Sequence, residues 1–536
     1  MQSLRRARAF RLPRRFFPLA NAYGSAPAPA PWACRARYGS TLSPPTIATL
    51  LRQTPPPLAT LQPPSSGETL TLNGFVRSVR KQKRVAFAAI GDGSSLQTVQ
   101  AVLTPEQADG LSTGMAVAIG GRWTPSRGSE QSHELQAETV RILGENDATT
   151  SPLQKKYQTQ EYLRTFPHLR SRLPFNSLLL RLRSQVTAQV TSYFANHGFI
   201  QAHPPIITSS DCEGAGEVFT VAPEPSQPSE DAFFGSPKYL TVSSQLHLEA
   251  LAQSVGRVWS LSPTFRAEKS DTARHLSEFY MLEAELAFVE KVSNVMDVVE
   301  AMLRTVATDL QSSHVGKEML ESRERHHKED DTCVSHTVLA QRWQGLVDGP
   351  WPRITYNDAI QHLKEAIGAG TAEFEFTPGE GDGLQTEHER YLAETVGRGG
   401  PVFVTDYPRN IKPFYMAPSN EATDEATDDA QKAQTVACFD LLVPEICELV
   451  GGSMREHRLA ELLDSMEEHD LASASTAHVS EGSLQWYLDL RRYGSGSATS
   501  ETSSASRGGI SGATADGLQR SPMPGVGRRN HMVLQV

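Results

Sequence analysis

The rhythm of apolar and polar positions changes several times along this 536-residue chain. Residues 69–77, 84–90, 96–103, 116–123 and 134–142 alternate with a period near two, the mark of half-buried strands. Turn signals such as Gly91-Asp92-Gly93 separate them. Five short strands in so short a span predict a small closed β-barrel. The period then lengthens: from Leu178 to Phe194 the apolar positions fall on one side of a helix. Strands and helices mix from there to about Trp486, which predicts an α+β domain built on a mainly antiparallel sheet.

Composition supplies the connections. Residues 41–66 are rich in Pro, Thr and Ser and read as a linker, and 146–175 as a polar, Pro-containing hinge. The expected domains are therefore a barrel at 67–145 and an α+β domain at 176–494. Residues 312–331 and 419–429 are polar and expected to be solvated. The Ser-, Gly- and Ala-rich segment 495–536 is expected to be a disordered tail.

Charge is distributed unevenly. Arg5, Arg6, Arg8, Arg11, Arg14, Arg15, Arg35 and Arg37 precede the first acid, Glu68. An Arg-rich, acid-free start is the composition of an organellar import signal, here 1–40; a basic arm that binds RNA is the alternative. The whole chain has a formal net charge of −10, so a polyanion would bind only at a local basic patch. Arg77, Arg80, Lys81, Lys83 and Arg84 supply one on the barrel. No apolar run is long enough to cross a bilayer, so membrane insertion is not expected. The five cysteines form no C-x-x-C pair, which argues against a zinc site or a disulfide framework.

The stretch richest in chemistry runs from Val258 to Phe288. Phe265-Arg266-Ala267-Glu268 is followed by a polar loop ending in Arg274-His275-Leu276, then by Glu278-Phe279. In an extended strand Phe279, Met281, Glu283 and Glu285 share one face; Tyr280, Leu282, Ala284 and Leu286 share the other. Such a hairpin could hold a nucleotide, with Arg on phosphate and an aromatic ring on the base. The same composition also fits a surface hairpin laced with salt bridges.

These strings resemble motif 2 of the class II aminoacyl-tRNA synthetases, in the form used by the aspartate/asparagine/lysine subgroup. The resemblance implies that the chain binds ATP. Arg266 would be the catalytic residue, gripping the α-phosphate and the amino-acid carboxylate. Glu268, His275 and Leu276 would hold adenine, Phe279 would stack on it, and Arg274 would reach the outer phosphates. Fixed positive charge suits a pentavalent phosphorus, and no general base is needed because a carboxylate is already a nucleophile. Residues 196–200 and 204–208, with Pro205, resemble the family's motif 1 and imply a homodimer. Residues 213–219 resemble its flipping loop, with Glu213 on the α-ammonium, and 240–246 place Gln245 beside the amino acid. Asp440 and Glu448 resemble its Mg²⁺ ligands, Glu448 also serving ATP, and Arg455 would meet the substrate side chain. The barrel resembles the family's OB-fold anticodon-binding domain, with Arg77, Phe87 and Gln100 on tRNA. A core aromatic is the other reading of Phe87.

Aspartyl members carry Lys where this chain has Leu248, three residues after Gln245, so a substrate carboxylate would lack a counter-charge. The resemblance thus implies ligation of asparagine to tRNA(Asn) through an asparaginyl-adenylate, with an aspartate-specific enzyme as the alternative; the Arg-rich start adds the expectation of a mitochondrial-matrix location. Two departures stand out. Cys447 replaces the family's usual Gly. The resemblance also stops near Gly494, and no Gly-x-Gly-x-x-x-Arg of motif 3 follows. That leaves a catalytically impaired, synthetase-like tRNA-binding protein as a reading of another class.

Overall fold

A computed structural model describes residues 45–53, 69–128, 131–154, 158–209, 218–222, 234, 237–267, 276–326, 334–419, 435–469, 471, 484–494 and 506–514. The expected import segment, the Glu213 loop and the loop holding Glu268, Arg274 and His275 lie outside these residues. Everything described belongs to one compact unit, 45–536.

The barrel is formed by β1 (Thr69–Lys81), β2 (Ala86–Gly91), β3 (Val99–Leu103), β4 (Ala116–Pro125) and β5 (His133–Gly144). It closes in the order β1-β2-β3-β5-β4. Period-two alternation sends Ala86, Ala88 and Ile90 fully inward and leaves Phe87 and Ala89 on the outer face. At the β4–β5 bulge only glycine fits: a Cβ on Gly121 would stand 2.1 Å from the carbonyl oxygen of Gln136. The expected linker is structured in part. Helix α1 (Ile47–Gln53) adds Ile47 and Leu50 to the barrel core. Its first N–H groups find acceptors on the barrel, Ile47 on Asp92 Oδ2 at 2.8 Å and Ala48 on Ser94 Oγ at 3.0 Å.

The second domain begins with α2 (Gln160–Arg164), α3 (Pro167–Arg170) and α4 (Pro174–Asn196). Then come β6 (Ile200–Gln201), β7 (Ile207–Thr208), β8 (Thr220–Val221), β9 (Lys238–Leu240), α5 (Gln245–Val255), β10 (Arg257–Phe265) and β11 (Glu278–Val289). Helices α6 (Val292–Ser312), α7 (His314–His326) and α8 (His336–Val347) precede β12 (Arg353–Thr355), α9 (Tyr356–Gly368), α10 (Thr386–Thr395) and β13 (Val402–Thr405). Strands β14 (Cys438–Val443) and β15 (Cys447–Arg455), helices α11 (Leu459–Glu468) and α12 (Gln485–Arg492), and β16 (Ser506–Thr514) complete it. Eight strands form one sheet, β12-β13-β14-β15-β16-β11-β10-β6, antiparallel except at β12/β13 and β10/β6. Helices α4 and α6 cover one face, where Leu178, Phe194, Trp259, Leu282, Val299 and Val450 share the main core.

Two expectations are corrected here. Residues 506–514 are not a structureless tail: they form β16, paired on both sides, with Gly509 opposite Glu285 and Ser453. The physical reason is that β11 and β15 each present an unpaired ladder edge there, and backbone pairing needs no hydrophobic pattern. Part of 312–331 is likewise a packed helix, α7, with Glu318, Met319 and Ser322 buried. Glu318 joins the two domains. It accepts from Ser95 Oγ, from the Leu96 N–H at 2.8 Å and from Arg181 Nη1 at 2.5 Å.

Candidate functional site

Strands β10 and β11 pair Ser260 with Glu283 and Val258 with Glu285, which fixes both carboxylates on one face. The opposite face, Leu282, Ala284 and Leu286, enters the main core. The apolar side expected of this hairpin is therefore present, and its charged side is also buried. Glu283 receives the hydroxyls of Ser243, at 2.5 Å, and Ser244, and the Ser244 N–H at 3.1 Å. Burial raises its carboxyl above the ordinary range, against the pull of these donors. Glu283 thus braces the turn that opens α5 and so orients Gln245.

Gln245 and Glu249 lie one turn apart on α5 and face the same way. Arg455, the last residue of β15, is buried against both. Its Nη2 lies 3.4 Å from Gln245 Oε1 and 3.5 Å from Glu285 Oε2, and its Nε is 3.4 Å from Glu249 Oε1. Its guanidinium lies 4.7 Å from the centroid of the Tyr415 ring, whose hydroxyl accepts from Gln245 Nε2 at 2.8 Å. Burial alone would ease its proton off, but Glu285 and Glu249 reverse that and hold it charged. Glu249 is further bound by Tyr487 and Arg491 of α12, each at 2.7 Å.

A second group lies toward the end of β10. Arg266 follows that strand and lies 5.7 Å from the centroid of Phe279. Asp440 of β14 and Glu448 of β15 share a sheet face, because Leu442, two residues after Asp440, is the partner of Glu448. Lys412 Nζ contacts both oxygens of Asp440 and lies 4.0 Å from the Tyr407 ring centroid. Glu448 is solvent-accessible, yet its carboxyl is pushed up to about 7, chiefly by Asp440 and then by surrounding protein, against Lys412 and Arg266. Two carboxylates on one sheet face, one of them raised by the other, form a set that could hold a hard divalent cation. Among the described residues no group of three or more metal-type side chains gathers. One or two carboxylates are a set that could hold Mg²⁺, which keeps waters and phosphate oxygens as its other ligands.

On the barrel, Phe87 and Gln100 share the outer face, diagonal neighbours across the Phe87–Val102 and Ala89–Gln100 pairs. The core-aromatic reading of Phe87 is thereby overturned: it is half-buried, with Arg80 5.3 Å from its ring centroid. Gln100 contacts Glu134 at 3.4 Å. Arg77 donates to the carbonyl of Arg172 in the hinge at 2.8 Å, so it ties the domains as well as adding charge.

The structure thus brings together Gln245 and Arg455 in one group, and Arg266, Phe279, Asp440 and Glu448 in another. Leu276 is half-buried beside Ser277, which accepts from the Arg266 N–H. Leu248 packs with Ala252 and Val258 in a satellite cluster. Glu249, Tyr415, Tyr487 and Arg491 were not singled out from sequence. The spacing of four from Gln245 to Glu249 was the available signal; the others arrive from distant segments. Lys412 was not singled out from sequence either.

The chain is similar to known proteins along most of its length. The family described as tRNA synthetases class II (D, K and N) matches residues 159–499, and the OB-fold nucleic acid binding domain family matches 70–143. The mitochondrial asparagine–tRNA ligase of Saccharomyces cerevisiae is 40% identical over 446 residues, 80% of this chain and 86% of that one. Its Schizosaccharomyces pombe counterpart is 40% identical over 440 residues, 80% of this chain and 87% of that one. Among solved structures, asparaginyl-tRNA synthetase from Pyrococcus horikoshii complexed with asparaginyl-adenylate matches with a TM-score of 0.69 and 25% identity. That match covers 88% of this chain and 93% of the other.

Proposed function

Because this chain belongs to the class II tRNA synthetases of the D, K and N group, we propose that it joins asparagine to tRNA(Asn). The reaction has two steps. The asparagine carboxylate attacks the α-phosphorus of ATP, forming asparaginyl-adenylate and releasing pyrophosphate. A hydroxyl of the terminal tRNA ribose then attacks the acyl carbon and releases AMP.

The observation that carries this reading is the buried Arg455 between Gln245, Glu285 and Glu249. Its charge is already matched by carboxylates, so the pocket wall suits a neutral amide. An aspartate side chain would bring a charge with no unmatched partner, a desolvated ion costing several kcal/mol. Arg266 beside Phe279 supports a nucleotide site, with Arg266 drawing charge off the α-phosphoryl group as the new bond forms. Glu268, Arg274, His275 and Leu276 complete the adenine and phosphate contacts, and Glu213 meets the α-ammonium. Asp440 and Glu448 would hold Mg²⁺, which when bound would neutralise phosphate charge.

The barrel binds the anticodon arm through the basic patch on β1, with Phe87 stacking on an unpaired base and Gln100 reading its edge. Exposed Ile200, Ile206 and Ile207 on and beside β6 and β7 support a homodimer through the 196–208 segment. The acid-free, Arg-rich start and the two mitochondrial relatives support a transit peptide and work in the mitochondrial matrix.

Pyrophosphate exchange with asparagine and with aspartate, run separately, tests the reaction. Exchange with asparagine is expected. Exchange with aspartate alone overturns the substrate, and none with either, while tRNA still binds, overturns catalysis.

A further inference from the structure

Helix α12 contributes nothing to the reaction as described, yet it sends two polar side chains to the wall of the amino-acid pocket. Tyr487 and Arg491 are one helical turn apart and buried. Both converge on Glu249, which is wholly buried. The Tyr487 hydroxyl donates to Glu249 Oε1 at 2.7 Å, and Arg491 Nη2 donates to Oε2 at 2.7 Å. Arg491 also donates to the Tyr487 hydroxyl at 2.7 Å, so the three side chains close a ring of short bonds.

Arg455 meets the same carboxylate differently. Its Nε is 3.4 Å from Glu249 Oε1, and its nearest approaches to Gln245, Ser453 and Glu285 are 3.4, 3.4 and 3.5 Å. Charge-assisted guanidinium–carboxylate bonds settle near 2.7–2.9 Å when nothing competes. Glu249 is therefore held short by α12 and long by Arg455. The helix has a second hold: Arg491 Nε donates to the carbonyl of Glu456, the residue that follows Arg455, at 3.0 Å.

We propose that Arg491 and Tyr487 are positioning residues for amino-acid recognition. By binding Glu249 they keep Arg455 counter-charged without locking it into a tight ion pair, which leaves its donors for the substrate side chain. This rests on the reading that Arg455 meets that side chain. Without the α12 donors, a dry carboxylate has one cation left to satisfy it. Glu249 would close on Arg455 and turn its guanidinium away from Gln245.

The test uses Tyr487→Phe, which removes one oxygen, together with Arg491→Met and Arg491→Lys, all in the full chain. Pyrophosphate exchange gives kcat and the KM values for asparagine and ATP, and a crystal structure gives the Arg455–Glu249 separation. For Tyr487→Phe and Arg491→Met, KM for asparagine is expected to rise roughly tenfold, with KM for ATP and saturated kcat nearly unchanged. Arg491→Lys should recover part of the loss. In the crystals Arg455 Nε should approach Glu249 to about 2.9 Å. An unchanged KM for asparagine, equal losses in all three constants, or an unmoved Arg455 in Tyr487→Phe overturns the proposal. If the parent chain activates no amino acid, the proposed reaction has failed, and the crystallographic separation still decides the positioning claim.

Discussion

Lys412 Nζ lies 2.7 and 3.0 Å from the two carboxylate oxygens of Asp440, a nearly dry ion pair at the place where the carboxylates suit Mg²⁺. Lys412→Met would leave Asp440 without its cation. The expected cost is about 3 kcal/mol of stability, read by urea denaturation. With a competing cation gone, the Mg²⁺ concentration that half-saturates pyrophosphate exchange should fall.

Phe87 stands on the outer barrel face beside Gln100. Phe87→Ala should remove a stacking platform worth about 1–2 kcal/mol and raise KM for tRNA roughly tenfold. Exchange without tRNA should not change, because the proposed amino-acid and ATP contacts lie in the other domain. Equal loss in both assays would place Phe87 in the fold and not on the RNA.

What the sequence reveals follows from how local the physics is. The barrel strands and α4 were legible because periods of two and 3.6 are written in neighbouring residues. Arg266, Phe279, Gln245 and Arg455 were legible only through a family resemblance, since single polar residues carry no period. Glu318, Glu249 and Lys412 were not legible as buried partners: each needs a mate more than twenty residues away, and composition alone reads such residues as solvated. Strand β16 was missed for a related reason, because Ser and Gly have low strand preference and only two waiting edges decide their conformation.

Glu318 fastens the loop of Ser95 and Leu96 to Arg181 on α4. Glu318→Ala would strand an arginine and two donors and should cost about 3–5 kcal/mol by calorimetry. Because the barrel then loses its fixed orientation, aminoacylation should fall much further than pyrophosphate exchange.

Glu456 accepts from Arg458 Nη2 at 2.7 Å and from the Arg458 N–H at 2.8 Å. Burial raises its carboxyl, but these donors win and hold it below the ordinary glutamate range. A depressed carboxylate contributes stability above its unfolded value and loses it as pH falls through the folded one. Glu456→Gln should therefore lower stability by about 1–2 kcal/mol at pH 7, discounted because Arg458 is partly exposed. The gap between variant and parent should close below roughly pH 4 in thermal melts taken across pH.

The central position of β16 sets a schedule for biogenesis. Among the described strands, the one that joins β11 to β15 is the last in chain order, so a ribosome cannot release these eight strands as one continuous sheet until residue 514 is through. Until then the β10–β11 and β12–β15 halves each carry a bare edge, the kind of surface that chaperones shield and that premature termination would leave permanently exposed.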